Sequence, residues 1–218
     1  MPQKPIVFKL FLLSFERRHI EFQSNTTICQ ERGTMKVEDT AIADVKIVHL
    51  TPFPDTRGMF VETFDTLAIS NLGLDASFVQ DATSVSNLKG TFRGLHFQWP
   101  PHAQATLVRV VCGRIFDVAV DIRESSPTYG KSLSVILDAD DWRMLYLPRG
   151  LAHGFCTLED NCHVAYKLGD HYAPGHVGGV QLDDPDLKID WPIEPATGII
   201  SDKDRANPRL KDLATIFK

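Results

Sequence analysis

The chain has 218 residues, 43% of them hydrophobic, with 23 Lys+Arg against 28 Asp+Glu and a net charge of -5. That is the balance of a soluble globular protein, and it argues against a nucleic-acid binder, which needs a basic surface to neutralise phosphates. The four cysteines, Cys29, Cys112, Cys156 and Cys162, show no CxxC spacing and are too sparse for a disulfide framework, so they read as reduced thiols of a cytoplasmic protein.

Near the N-terminus the stretch Ile6–Phe15 is apolar, but it is short and broken by Lys9, so it does not read as a membrane span. A charged Glu16-Arg17-Arg18-His19 run follows without a small-residue cleavage site, and residues 1–34 read as an N-terminal extension rather than a secretion signal. Residues 35–218, opening on a second methionine, carry no repeat or linker and read as a single domain. Strands are predicted at Lys46–Leu50, Met59–Phe64, Phe78–Ser86 and Phe92–Gln98, with a helix over Asp65–Leu72. Pro52-Phe53-Pro54-Asp55, Asn87-Leu88-Lys89-Gly90, Trp99-Pro100-Pro101 and Pro148-Arg149-Gly150 read as turns between them and the later strands. Leu107–Val111 and Phe116–Ile122 flank Cys112-Gly113-Arg114, a short connection that predicts a hairpin. In the second of these runs Asp117, Ala119 and Asp121 share one parity and the larger apolar residues the other, which predicts one packed face and one facing something more polar. Leu133–Leu137, Met144–Leu147 and Cys162–Leu168 complete the strands, and Leu210–Phe217 carries a second stretch of helical periodicity. Many short strands at near-regular spacing predict an all-β protein, a jelly-roll barrel with short peripheral helices, whose interior can hold one small ligand.

Four groups of residues can carry chemistry. The first is Arg93-Gly94-Leu95-His96-Phe97-Gln98, followed by Pro100-Pro101-His102-Ala103-Gln104. An ideal strand puts Arg93 and His96 on opposite faces, so one pocket takes both only if the strand bends, bulges or ends there. Periodicity alone leaves His96 open between a satisfied structural imidazole and a functional one. The second is Leu147–Phe155, where Pro148 and Gly150 bracket a turn that delivers His153 into the next strand. The third is Tyr166-Lys167 with Asp170 and Tyr172, where a phenol either satisfies a buried hydrogen bond or acts as a general acid. The fourth, Ser201-Asp202-Lys203-Asp204, reads on its own as a solvated charge run. No HxH pair occurs, position 98 is Gln, and a double proline separates His96 from His102, so no metal site is expected. Glycine-rich phosphate loops and Ser or Cys nucleophile signatures are absent too.

Taken in order, Asp55-Thr56-Arg57-Gly58-Met59-Phe60-Val61-Glu62, Arg93–Gln98, Asp117–Arg123 with Ser126-Pro127-Thr128, Ala152-His153-Gly154-Phe155, Tyr166-Lys167, Asp184-Pro185, Asp190-Trp191-Pro192 and Ser201–Asp204 resemble the dTDP-4-dehydrorhamnose 3,5-epimerase family. The resemblance runs from about Lys46 to Pro208 and leaves the segment before Met35 outside. It implies a cupin-like jelly roll, a homodimer, and work without metal or cofactor on a dTDP-linked 4-keto-6-deoxy sugar. It also implies roles: His96 as base, Asp204 as the carboxylate that orients it, and Tyr166 as the acid on the opposite face of the sugar. Arg57, Phe60 and Glu62 match residues that reach the nucleotide of the partner subunit, while Gln80, Arg93, His153 and Tyr172 match residues lining the substrate pocket. Two positions depart from the pattern. Thr106 stands where the family usually carries a lysine, replacing a cation near the sugar by a neutral hydroxyl, and Ala82 stands where an Asn is common. The expected activity is epimerisation at C3, C5 or both; the alternatives are a 3,4-ketoisomerase of the same substrate and a catalytically weakened sugar-nucleotide binder.

Overall fold

Short β-favouring runs separated by turns build thirteen strands among the described residues, which are 35–214 and Phe217 of a computed structural model. In chain order these are β1 (Lys36–Asp39), β2 (Lys46–His49), β3 (Pro52–Asp55), β4 (Gly58–Val61), β5 (Gln80–Ser86), β6 (Phe92–Gln98) and β7 (Thr106–Cys112). They continue as β8 (Arg114–Asp121), β9 (Ser132–Asp138), β10 (Arg143–Leu147), β11 (Leu151–Thr157), β12 (Cys162–Leu168) and β13 (Val177–Gly179). Two short helices, α1 (Thr66–Asn71) and α2 (Asp202–Arg205), lie outside the sheets. The N-terminal extension, with its apolar stretch and Cys29, lies outside the described residues. No helix among the described residues is long and apolar enough to cross a membrane.

One sheet has the order β1-β2-β10-β7-β12-β5, the other β13-β6-β11-β8-β9, and β3-β4 forms a separate ribbon. All pairings within these sheets are antiparallel. This is the expected all-β jelly roll with short peripheral helices. Ile47, Val108, Val110, Leu145 and Val164 of the six-stranded sheet meet Ile115, Ala119, Leu151 and Phe155 of the five-stranded one. The outer face of the first sheet, with Val48, Leu107 and Met144, is covered by Leu50, Ile69 and Leu74. The outer face of the second, with Phe92, Leu95, Phe97, Val118 and Val120, is covered by Val180, Leu182, Leu187 and Leu210 from the C-terminal segment. Both sheets are therefore buried on both sides over much of their area, which explains why strict alternation is rare in these strands.

Several expectations need correction. β7 and β8 are consecutive but do not pair: β7 lies between β10 and β12, and β8 between β11 and β9. The connection at Gly113 turns the chain from one sheet into the other. Gly113 has φ +77°, and a Cβ there would meet Cys162 Sγ at 2.7 Å, so the corner needs glycine. Pro52–Asp55, read as a turn, is instead β3, whose only ladder partner among the described residues is β4, and such an edge position tolerates proline. Where Leu210–Phe217 was expected to be helical, the described residues form a single 3-10 turn over Leu210–Asp212, and Phe217 bridges to Arg123. The parity of β8 is correct, but its Asp117–Ala119–Asp121 side is the inner one, where both aspartates are fully buried.

Asp121 shows how such a charge is tolerated. Burial alone pushes its carboxyl up, but bonds from the Arg123 guanidinium, Ser126, Thr128 and the Arg123 backbone outweigh it and hold the group at about 2, against an ordinary 3.8. A depressed folded-state value stabilises the fold above the unfolded value and is lost as pH falls through the folded one, here between 3.8 and about 2. The shift corresponds to about 2 kcal/mol. Asp121→Asn is expected to lose about that much at neutral pH and to show a shallower decline of stability across this acid window, measured by urea denaturation at successive pH values.

Candidate active site

The register between β6 and β11 pairs His96 with His153 and Arg93 with Phe155, so two residues of β6 stand opposite one of β11. This β-bulge at Gly94-Leu95 resolves the parity problem in the sequence. Phe92, Leu95 and Phe97 still face the outer layer, while Arg93 and His96 both line one cavity inside the molecule. Gly94 has φ +111°, and a Cβ there would lie 2.5 Å from the His153 carbonyl oxygen and 2.6 Å from Gly154 Cα. Only glycine lets the two strands approach so closely.

The cavity holds about 710 Å³, within the range of small-ligand sites, and opens between the two sheets. His96, His153, Tyr166, Asp204, Arg93, Thr106 and Tyr172 all line it, as do Gln98, Gln104 and Lys203. His96 Nε2 lies 2.6 Å from Asp204 Oδ1. Asp204 sits in α2, whose N-cap Ser201 accepts a hydrogen bond from the Asp204 N–H, and Asp204 Oδ2 accepts one from the Gly94 N–H at 3.3 Å. The expected solvated charge run is thus exposed at Asp202, Lys203 and Arg205 but buried at Asp204. Burial pushes the Asp204 carboxyl up, yet the His96 hydrogen bond and charge, the Gly94 N–H and Ser201 overcome this and leave it below the usual carboxylate range. It is ionised at neutral pH.

A second imidazole–carboxylate pair lies on the adjacent strands, with His153 Nε2 2.7 Å from Asp117 Oδ1. Tyr166 enters from β12 of the other sheet, its ring 6.3 Å from that of His153 and its hydroxyl 3.1 Å from Ser84 Oγ. Burial pushes the Tyr166 phenol well above its ordinary value, with Ser84 and Arg93 acting in the opposite direction, so it is a protonated donor at neutral pH. The Arg93 guanidinium bonds Ser86 Oγ and the Val85 carbonyl, which fixes it against β5.

Gln98 is structural: its amide nitrogen donates to the His102 and His171 carbonyls, and its oxygen accepts from the Ala173 N–H. Gln104 donates to the Asp170 carbonyl. Gln80 is not among the cavity-lining residues; its side-chain oxygen accepts from the Tyr172 N–H at 2.9 Å and so supports a residue that is. Arg57, Phe60 and Glu62 also lie off the cavity, on and beside the β3–β4 ribbon. Arg57 is paired with Asp55 at 2.6 Å, and Phe60 is 62% exposed. Three contributors were given no site role from the sequence. Asp117 was visible as a carboxylate on a strand that buries its neighbours and Lys203 as part of the Ser201–Asp204 run, whereas Ser84 carries no local signal. Among the described residues no three His, Cys, Asp or Glu side chains converge as metal ligands do.

The bulge yields a direct test. Gly94→Ala forces a methyl into the backbone of β11 and is expected to cost about 3 kcal/mol in chemical denaturation, whereas Gly175→Ala, where nothing lies within 4 Å, stays within about 0.5 kcal/mol of the parent.

Comparison with known proteins gives concordant findings. A family model described as dTDP-4-dehydrorhamnose 3,5-epimerase matches residues 39–212. A dTDP-4-dehydrorhamnose 3,5-epimerase of Shigella flexneri is 44% identical over 179 residues, covering 82% of this chain and 97% of that protein. The crystal structure of the Bacillus anthracis enzyme of the same name, with TDP and PPi bound, matches with TM-score 0.78 and 44% identity, over 80% of this chain and 99% of that one. A Legionella pneumophila dTDP-6-deoxy-D-glucose-3,5-epimerase in complex with dTDP-4-keto-L-rhamnose matches with TM-score 0.77 and 40% identity, over 83% and 95%.

Proposed function

The chain belongs to the dTDP-4-dehydrorhamnose 3,5-epimerase family, and on that premise we propose that it inverts C3, C5 or both in a dTDP-linked 4-keto-6-deoxyhexose, within a catalytic domain spanning residues 35–218. The observation that carries the mechanism is that the His96–Asp204 pair and the Tyr166 phenol share one cavity. The C4 ketone acidifies the protons on C3 and C5, because the carbanion left behind delocalises onto O4 as an enolate. Ionised Asp204 accepts the Nε2–H of His96, which leaves the lone pair at Nδ1 to take the carbon-bound proton. The same carboxylate then stabilises the imidazolium. Tyr166 gives its proton to the opposite face of the carbon, and its phenolate is met by Ser84 and the positive charge of Arg93. Exchange with solvent returns both groups to their starting states.

Arg93 and the exposed Lys203 are cations lining the cavity, suited to the diphosphate. Thr106 offers a neutral hydroxyl there. Arg57, Phe60 and Glu62, held on an exposed ribbon away from their own cavity, serve the nucleotide site of a second copy in a homodimer. Cytoplasmic residence fits the free thiols of Cys112, Cys156 and Cys162.

Incubation of the 4-keto substrate in deuterated water is expected to wash deuterium into ring positions C3, C5 or both and to give inverted product. His96→Asn is expected to slow wash-in by roughly a thousandfold, while Tyr166→Phe keeps exchange from the His96 face but loses inversion. A folded parent enzyme that binds dTDP tightly without exchange would instead be a sugar-nucleotide binder, and a 3-keto product would make it a ketoisomerase. For the dimer, sedimentation at assay concentration is expected to show two subunits, and Phe60→Ala to raise KM about tenfold at unchanged kcat through lost stacking on the base. A fully active monomer overturns the cross-subunit role.

A further inference from the structure

The outer face of the six-stranded sheet has a second cavity, of about 200 Å³, at the margin of the layer formed by Leu50, Ile69 and Leu74. A row across four strands runs through it: Met144 of β10 stands beside Arg109 of β7, Arg109 beside Ala165 of β12, and Ala165 beside Thr83 of β5. Val108 and Val110, the chain neighbours of Arg109, belong to the core between the sheets, so Arg109 projects to the side away from the sugar cavity. The short Ala165 side chain leaves depth between Arg109 and Thr83, and Thr63 and the Lys167–Asp81 pair complete the wall. Arg109 is half-buried there, with no side-chain hydrogen bond or ion pair among the described residues. Burial pulls its guanidinium below the ordinary value, and no carboxylate acts against that. Arg114, Arg123, Arg143 and Arg149, by contrast, each reach a carboxylate. Lys167 is already engaged: both oxygens of Asp81 accept from its ammonium, at 3.0 and 3.1 Å, and it lies 4.5 Å from the centre of the Phe64 ring. Asp81 cancels Lys167, and the wall keeps the one uncompensated positive charge of Arg109.

A partly desolvated cation without a counter-ion is an unmet electrostatic demand. The Thr63 and Thr83 hydroxyls, which have no other hydrogen-bond partner among the described residues, stand on the same cavity as donors for an anion. The volume falls below the roughly 300 Å³ at which ligand cavities begin, too small for a sugar nucleotide. We propose that this cavity binds a single carboxylate group, held by the Arg109 guanidinium fork with Thr63 and Thr83 donating to it. A planar monoanion meets the fork with both oxygens and balances its one charge, whereas a phosphate dianion leaves excess negative charge beside Asp81. The carboxylate belongs either to a free small acid or to an aspartate or glutamate of a second copy of this chain. The two sources differ in whether filling the cavity requires a second subunit. Because Arg109 faces away from the sugar cavity, the site stands independently of the epimerase reading.

Thermal unfolding with sodium acetate replacing sodium chloride at constant ionic strength changes only the identity of the anion. With a free acid as the source, acetate is expected to raise the Tm of the parent saturably, by about 2 °C, and to leave Arg109→Met unmoved. With a second copy as the source, acetate moves neither protein, and Arg109→Met raises the subunit dissociation constant in sedimentation at least about tenfold. A protein that responds in neither way overturns the proposal. Inorganic phosphate that raises Tm at lower concentration than acetate overturns the choice of a carboxylate. Should Arg109→Met not fold, Arg109→Gln carries the same two expectations, and its failure in both overturns the proposal equally. A parent enzyme without deuterium wash-in defeats the epimerase reading and leaves both of these expectations in place.

Discussion

The 2.6 Å contact between His96 and Asp204 joins residues 108 positions apart and is the point on which the site's geometry depends. A carboxylate inside a β protein persists only where donors meet it, and Asp204 finds two on β6, the imidazole of His96 and the backbone N–H of Gly94. Both donors exist because β6 bulges. The carboxylate arrives because the C-terminal segment packs its apolar residues across the outer face of the five-stranded sheet, and Ser201 caps the short helix that follows. Hydrophobic cover and the placement of Asp204 are thus supplied by the same stretch of chain, so loosening that outer layer disturbs the His96–Asp204 contact.

Two sheets packed face to face leave their ionisable groups in unequal surroundings. Asp204 has donors enough to stay charged despite burial, whereas Tyr166, with one hydroxyl partner and a largely apolar neighbourhood, stays neutral. An ionised carboxylate behind an imidazole and a protonated phenol in the same cavity are what the proposed proton-in, proton-out reaction needs at one pH. The fold creates this difference through position, by the donors it brings to one group and withholds from the other.

Much of the architecture was legible because short β-rich runs and proline or glycine turns are local signals. β6 and β12 were bounded in the sequence as they stand in the structure. What failed was non-local. Nothing near Gly113 reveals that later strands take both sides of β7 and β8, so a tight connection looked like a hairpin. Pro52 and Pro54 hid β3, whose single partner follows it in the chain. In the site, His96 and Tyr166 could be singled out as polar groups in apolar strands, but bringing His96 and Arg93 to one cavity required a bulge that no periodicity encodes. Taken alone, Asp204 looked like solvent-facing charge until the C-terminal cover was in place, and Asp117 joined the site only once β11 brought His153 beside it.

Gln98 has a quieter consequence. By giving both ends of its amide to the backbone at His102, His171 and Ala173, it fastens two loops to each other and to β6. Neither loop can swing out alone without stripping a buried amide of its partners. The cavity wall beside Gln98 is thus braced from two neighbouring loops at once, and its shape on that side is set by hydrogen bonds rather than by loop packing alone.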